Sequence, residues 1–344
     1  MTTAGQDDHA DHAERFTLLR PLLFTIVYEI LGSATESDDV LQDSYLRWAG
    51  VDLTTVRDTR SYLARLVTRQ ALNALRAGAR RREDYVGPWL PEPLLLDEHD
   101  ASADVVLAES VSMAMLVLLE TLSPDERAVF VLREVFGFGY ADIGAAVGKS
   151  AATARQVAHR AREHVGARRR RFVPVDAART ARITERFMTA AATGDLRGLL
   201  SLLAPDVTWT ADSGGRTTAA RRPVVGAERV AAVVMRVFRT GRGGRTDRTG
   251  GTGRTAGTGR TVGTGRAAGP WVEVVNCNHT PAIVVHGGDR GDHGDRGDRG
   301  DRGDHDHPLG VFLVESADGR ITGIYAVRNP DKLAAVAAPR RISR

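Results

Sequence analysis

The 344-residue chain has one cysteine, Cys277, so an intramolecular disulfide and a cysteine-based zinc cluster are both excluded, and a reducing compartment is expected. Aromatic residues make up only 6% of it, which leaves few large anchors for reading a core. Long apolar runs are lacking too. The longest stretches, such as Val111–Leu119, are too short to span a bilayer. The polar, acidic segment Met1–Glu14 has no apolar core of the kind a signal peptide needs. A cytoplasmic protein without membrane partners is therefore expected, with no metal, no cofactor and no catalytic residue set.

What is present is an apolar fraction of 42%, enough for real cores, in a chain long enough for two or three domains. The net charge of +4 is modest, but its distribution is uneven. Arginines cluster at Arg80–Arg82 and at Arg168–Arg171, while Asp38, Asp39 and Asp43 form a local acidic patch. Basic clusters suit a polyanion and an acidic patch suits a protein partner.

Residues 1–14 are expected to be disordered and residues 15–83 to be a helical domain. Phe16–Leu31 is apolar at helical spacing, Ser37 offers an N-cap ahead of Asp38 and Asp39, and another helix starts near Ser61. Residues 84–103 form a linker, because three prolines and a glycine within 87–93 exclude a regular helix. Residues 104–172 are helical again. Residues 175–335 change character. A helix over about Ala178–Thr193 precedes short β-like runs at Val207–Thr210, Trp271–Val275, Ala282–Val285, Val311–Val314 and Ile321–Val327, the last two joined by a Ser316–Gly319 turn. This is an α+β pattern. Two low-complexity insertions, 240–269 (Gly-Thr-Gly-Arg repeats) and 287–307 (Gly-Asp-Arg repeats), have no apolar content that could repay ordering entropy and are expected to be mobile loops.

Within 121–165, Ser123-Pro124-Asp125-Glu126 is a capping box, and Gly148-Lys149-Ser150 is a tight turn between a short helix and a longer one. That is the plan of a helix-turn-helix. The outer face of its last helix carries Arg155, Gln156, His159 and Arg160, with Ser150 at its start, and such side chains can reach base edges and phosphates. An ordinary helical hairpin with a solvated charged face would show the same pattern. The helix from Ser61 has Arg65, Arg69, Asn73, Arg76 and Arg80 at spacings of three and four, one basic stripe that also describes a solvated face.

The order of these parts resembles the sigma-70 family in its compact extracytoplasmic-function form. The segment Ser37–Asp43 with Tyr45-Leu46-Arg47-Trp48 looks like the family's polymerase-binding helix, Tyr62–Arg76 like its promoter-melting helix, and Leu122–Arg162 like its minus-thirty-five domain. Gly87–Pro93 and Asn329–Leu333 look like motifs of the SigJ-like subgroup, which carries a C-terminal SnoaL-like (NTF2-like) domain. Asp212-Ser213-Gly214-Gly215-Arg216 is similar to a Gly-rich motif of that extension, with Ser213 where Gly is usual.

The resemblance implies a multidomain fold: two all-α sigma domains, region 2 and the helix-turn-helix region 4, followed by an α+β cone. It implies core RNA polymerase and promoter DNA as partners. Polymerase contacts would come from Asp38, Asp39, Leu41, Gln42 and Asp43. Minus-ten contacts would come from Arg65, Arg69, Asn73, Arg76 and Arg80, and minus-thirty-five contacts from Ser150, Arg155, Gln156, His159 and Arg160. Regulatory contacts would come from Trp89, Pro91, Asp212, Gly214, Gly215, Asn329, Pro330, Asp331, Lys332 and Leu333. The C-terminal domain would regulate the sigma domains in cis, with a small-molecule ligand left open.

Two alternatives stand beside this: a DNA-binding regulator without polymerase contact, and a SnoaL-type enzyme attached to a DNA-binding module. For the second, Asp206, Asp212, His279 and His286 are the conceivable acid–base groups, although each also reads as a turn, surface or loop residue. His293, His305 and His307 could hold a metal loosely or simply be solvated.

Overall fold

The computed structural model describes residues 3–96, 105–168, 177–217, 219–240, 271–287 and 308–344. The two low-complexity insertions, apart from their edge residues Thr240 and Gly287, lie outside the described residues, as do the three histidines within the second. The chain forms two compact units. The first comprises residues 1–84, 96–172 and 339–344; the second comprises Tyr85–Leu95 and Val173–Ala338. The first half of the linker therefore belongs to the C-terminal unit, and the last six residues belong to the N-terminal one. Neither assignment follows from the sequence boundaries 84–103 and 175–335.

The first unit is helical. It opens with α1 (Thr3–Leu31), α2 (Ala34–Trp48) and α3 (Thr59–Glu83). The expected disorder of residues 1–14 is corrected here, since α1 runs from Thr3. His12 explains part of this: its ring packs edge-on against Trp48, and the Trp48 indole donates to the His12 carbonyl at 2.9 Å. The cap of α2 is Ser33, whose hydroxyl accepts from the Glu36 amide, so the helix starts a turn earlier than Ser37 suggested. Ser37 lies buried inside the helix, bonded to the Ser33 carbonyl.

The helices α4 (Val105–Ser110), α5 (Met113–Leu119), α6 (Pro124–Phe130), α7 (Tyr140–Val147) and α8 (Ala151–Arg168) complete this unit. The capping box at Ser123 and Glu126 is formed, and a π-helical turn over Val131–Val135 follows α6. Gly148 ends α7 in the left-handed region (φ 71°), where a side chain would be strained. The inner face of α8 buries Ala154, Ala158, Ala161 and Val165 as its spacing requires, with Val157 added.

The second unit is α+β. Helices α9 (Ala177–Thr193), α10 (Leu196–Leu202) and α11 (Ala227–Thr240) pack with a six-stranded sheet of order β2-β1-β6-β5-β4-β3. Its strands are β1 (Leu203–Asp212), β2 (Val224–Val225), β3 (Trp271–Cys277), β4 (Thr280–His286), β5 (Pro308–Ala317) and β6 (Arg320–Val327). All pairings are antiparallel except β1 with β6. The short helix α12 (Pro330–Leu333) follows β6. Both α10 and α11 went unread in the sequence.

The interior between helices and sheet is apolar. Phe187, Leu199, Val207, Trp209, Val234, Ile283 and Phe312 are buried there, and Trp209 and Phe312 have ring centres 5.9 Å apart. This is the α+β layout that the resemblance implied. Among the described residues, no helix is long and apolar enough to cross a membrane.

Candidate nucleic-acid and regulatory interfaces

On α2, Asp39, Gln42 and Asp43 are exposed, and Leu46, one turn after Gln42, is 67% exposed. An apolar side chain thus stands open beside carboxylates on this face. Leu46 lies in the segment likened to the polymerase-binding helix but was not among the contacts expected there. Leu41 is the opposite case. It is fully buried among the unit's own helices, so the expected polymerase contact is corrected: Leu41 holds α2 in place instead.

Asp38 is engaged. Arg20 lies 3.2 Å away and Arg340 of the C-terminal tail 2.7 Å away. The tail is seated by buried Ile342, by the Ser343 amide donating to Thr25 Oγ1 (3.2 Å), and by the Arg340 guanidinium over the Phe24 ring.

The basic stripe on α3 is placed by Leu63, Val67 and Ala71, which are buried on its other side. Of its members, Asn73 is exposed and Arg65 lies over the Tyr62 ring. The side chain of Arg80 lies outside the described residues. Arg69 donates to the Ala145 carbonyl of α7 at 2.6 Å, and Arg76 pairs with Asp125 of α6 at 2.9 Å. Lys149, in the turn of the helix-turn-helix, meets the same Asp125 at 2.8 Å. Partial burial pushes the Asp125 carboxyl up, but bonds and charge from Lys149 and Arg76 outweigh it and hold the group below the usual range.

On α8 the predicted face is open. Ser150 caps the helix by accepting from the Thr153 amide, and Ser150, Arg155, Gln156, His159 and Arg160 are all exposed. Arg155 stacks over the Tyr140 ring and His159 lies 3.4 Å from Glu163.

Deeper in this unit sits a charged network. Glu29 is fully buried and accepts from the Ser110 hydroxyl. Buried Arg127 donates to the Glu29 carbonyl and to Glu120, which Arg82 also contacts. Burial pushes the Glu29 carboxyl up to about 8, against the opposing pull of Ser110 and Arg127.

In the second unit, Asp212 ends β1 with its side chain fully buried, which overturns the reading of it as a turn or surface residue. Its carboxylate accepts from the Leu90 amide (2.8 Å), the Gly214 amide (3.2 Å), the Tyr85 hydroxyl and the Lys332 ammonium (2.7 Å). Lys332 also donates to the Leu90 carbonyl at 2.5 Å and stands 3.3 Å from the centre of the Trp89 ring. Asn329 caps α12 through the Asp331 amide and donates to the Tyr85 hydroxyl.

Burial, then Asp212, raises the Tyr85 hydroxyl above its ordinary value, so it remains a donor. Gly214 has φ 57°, and a Cβ there would fall 2.7 Å from Asn329 Nδ2, so only glycine fits. Gly215 is also left-handed and approaches Val86. Pro91 and Leu333 are buried, Pro330 starts α12, and Asp331 pairs with Arg216 at 2.9 Å. Further along, Leu94 and Asn278 exchange two bonds and Leu95 bridges to Cys277, whose buried thiol is pushed up to about 12. The Gly-rich, linker and end motifs thus form one cluster.

Asp206 is exposed, His286 lies against Glu273, and His279 sits at a tight turn (φ 55°). Among the described residues no group of three or more metal-ligating side chains occurs.

Residues 16–81 match the family model for sigma-70 region 2, and residues 112–165 match that for sigma-70 region 4. The ECF RNA polymerase sigma factor SigJ of Mycobacterium tuberculosis is 40% identical over 222 residues, covering 64% of this chain and 71% of the relative. The probable ECF RNA polymerase sigma factor SigI of the same species is 31% identical over 219 residues, covering 63% and 73%. The crystal structure of M. tuberculosis SigJ superposes with a TM-score of 0.66 at 28% identity, covering 94% of this chain and 99% of that one.

Proposed function

The chain belongs to the extracytoplasmic-function sigma factors of the sigma-70 family, and we propose that its C-terminal unit regulates the sigma domains in cis. The chain directs core RNA polymerase to promoters and starts transcription there, so core polymerase and promoter DNA are its partners. Its place of action is the cytoplasm. The exposed side chains of α2, with Leu46, dock on polymerase. The α3 stripe takes the opened minus-ten strand, and the α8 face reads the upstream duplex.

One observation carries the regulatory reading: the linker segment that follows region 2 is clamped at Tyr85, Trp89 and Leu90 by Asp212 and Lys332, residues of the C-terminal unit. A linker held at one end cannot move freely between regions 2 and 4. The seat of Arg340 on Asp38 is a second cis contact, on the polymerase-binding helix itself.

The C-terminal unit performs no covalent chemistry in this reading. Its interior is occupied by Trp209, Phe187 and Phe312, and its buried carboxylate is committed to Lys332. The test is in vitro transcription with core polymerase, comparing the full chain, a chain ending at Arg171, and a chain lacking residues 329–344. Initiation from a defined start with differing output among the three is expected. Equal output from all three would sink cis regulation, and failure of every form to direct initiation would sink the assignment of these surfaces.

A further inference from the structure

The helix α9 has a feature that neither its core packing nor the linker clamp uses. Its inner face buries Ile183, Thr184 and Phe187. Its outer face carries Arg179, Arg182 and Arg186, all exposed, which line an open cavity of about 330 Å³ together with Ile183 and Gly319. At 3.6 residues per turn the three guanidinium stems leave the helix within an arc of about 60°, along a row about 10 Å long.

The floor of the cavity is the β5–β6 turn. Gly319 leaves room there for Arg179, since a Cβ would fall 2.6 Å from Arg179 Nη2. The turn is held to α9 by Thr180 and Ser316, whose hydroxyls are 3.4 Å apart. Among the described residues neither Arg182 nor Arg186 makes a hydrogen bond or an ion pair. Among the described residues of α9 and the turn, the carboxylates are Glu185, about 60° round the helix from Arg182, and Asp318, against three arginines.

We infer that this cavity is a binding site for the phosphodiester backbone of nucleic acid, a third contact separate from those of regions 2 and 4. Several observations favour a backbone over a compact phosphorylated ligand or an acidic protein. The row is extended, and about 10 Å matches roughly three successive phosphates at the axial spacing of one DNA strand. The cavity is lined by three guanidiniums and one aliphatic side chain, with no ring on which a base could stack and no acceptor to read one. Guanidiniums pair bidentately with phosphate oxygens, and contacts of this kind position a protein without reading sequence. The α9 cavity therefore adds sequence-independent grip.

The test uses holoenzyme reconstituted from core polymerase and the full chain, with promoter-complex formation followed from about 50 to 200 mM salt. The R179A/R182A/R186A variant should lower the slope of log affinity against log salt by about 2 to 3, since each phosphate no longer neutralised takes about 0.9 from it. It should keep promoter preference and polymerase affinity unchanged. The corresponding triple Lys variant should restore most of the slope, because charge carries it, and a melting curve matching the parent's will show that the unit is folded.

An unchanged slope in the triple Ala variant overturns the proposal. So does weaker polymerase binding with an unchanged slope, which would make the row a protein-docking face. Saturable binding of inorganic phosphate or a mononucleotide at this cavity, with no change in slope on mutation, overturns it in favour of a small anion.

Discussion

The Lys332 ammonium stands 2.7 Å from Asp212 Oδ2 with both side chains buried, 4% and 0% exposed, across 120 residues of sequence. Only two of the 47 cationic residues of the chain are lysines, and both sit at contacts between distant segments: Lys332 here and Lys149 on Asp125. A compact ammonium fits between the Trp89 face and the Leu90 carbonyl, where a planar guanidinium would not. Replacing Lys332 by Ala leaves Asp212 charged and buried without its ion-pair partner. A loss of about 3–5 kcal/mol in the stability of this unit is expected, seen as a lower thermal midpoint and altered transcriptional output. Lys332→Arg should recover less than half of it.

Asp125 bridges Arg76 of the α3 stripe and Lys149 of the helix-turn-helix. Because the pairs are partly exposed, Asp125→Ala should cost no more than about 1 kcal/mol of stability. It also frees two cations that DNA would otherwise have to take from Asp125. Promoter binding by the holoenzyme should therefore tighten, which a filter-binding or anisotropy titration measures. Weaker binding would show that the bridge supports the DNA-competent form.

Glu29 supplies a pH dependence. Its carboxyl titrates near 8 in the fold and near the ordinary 4.5 when unfolded, so the folded state holds the proton more tightly. That contribution is fully present below about pH 4.5 and is lost as pH rises through about 8, to a total on the order of a few kcal/mol. Glu29→Gln keeps the shape and the Ser110 contact without a charge to bury. The variant should gain stability relative to the parent from pH 6 upward, with the difference in thermal midpoint growing with pH to about 8 and levelling off above it. A constant difference would place the burial cost elsewhere.

Arg155 lies over the Tyr140 ring on the open face of α8. Arg155→Ala should weaken upstream recognition by about 1–3 kcal/mol at one base position if its contact is bidentate to a base edge. A uniform loss across promoter variants would identify a phosphate contact instead. Affinities for a set of single-base promoter substitutions distinguish the two.

Local chemistry made much of this protein legible. The capping box at Ser123 and Glu126, the Gly148 turn, the period of three and four on α3 and α8, and the Asp318-Gly319 hairpin each depend on residues within one or two turns of one another, so the sequence determined them by itself. The order of those motifs also determined the family. Helices α10 and α11 escaped because each is set among strand-like and Gly-rich stretches, and their apolar faces become informative only against the sheet.

Tertiary structure alone decided the rest. Leu41 and Leu46 are both leucines on one helix, and only packing makes the first a core residue and the second an exposed one. The linker joins the C-terminal unit through bonds between Leu90 and residues 122 and 242 positions away, and the tail reaches Asp38 from the far end of the chain. No periodicity encodes such contacts. They exist because a buried carboxylate, a buried amide and a buried ammonium must satisfy one another once water is excluded, and the completed fold is what brings them together.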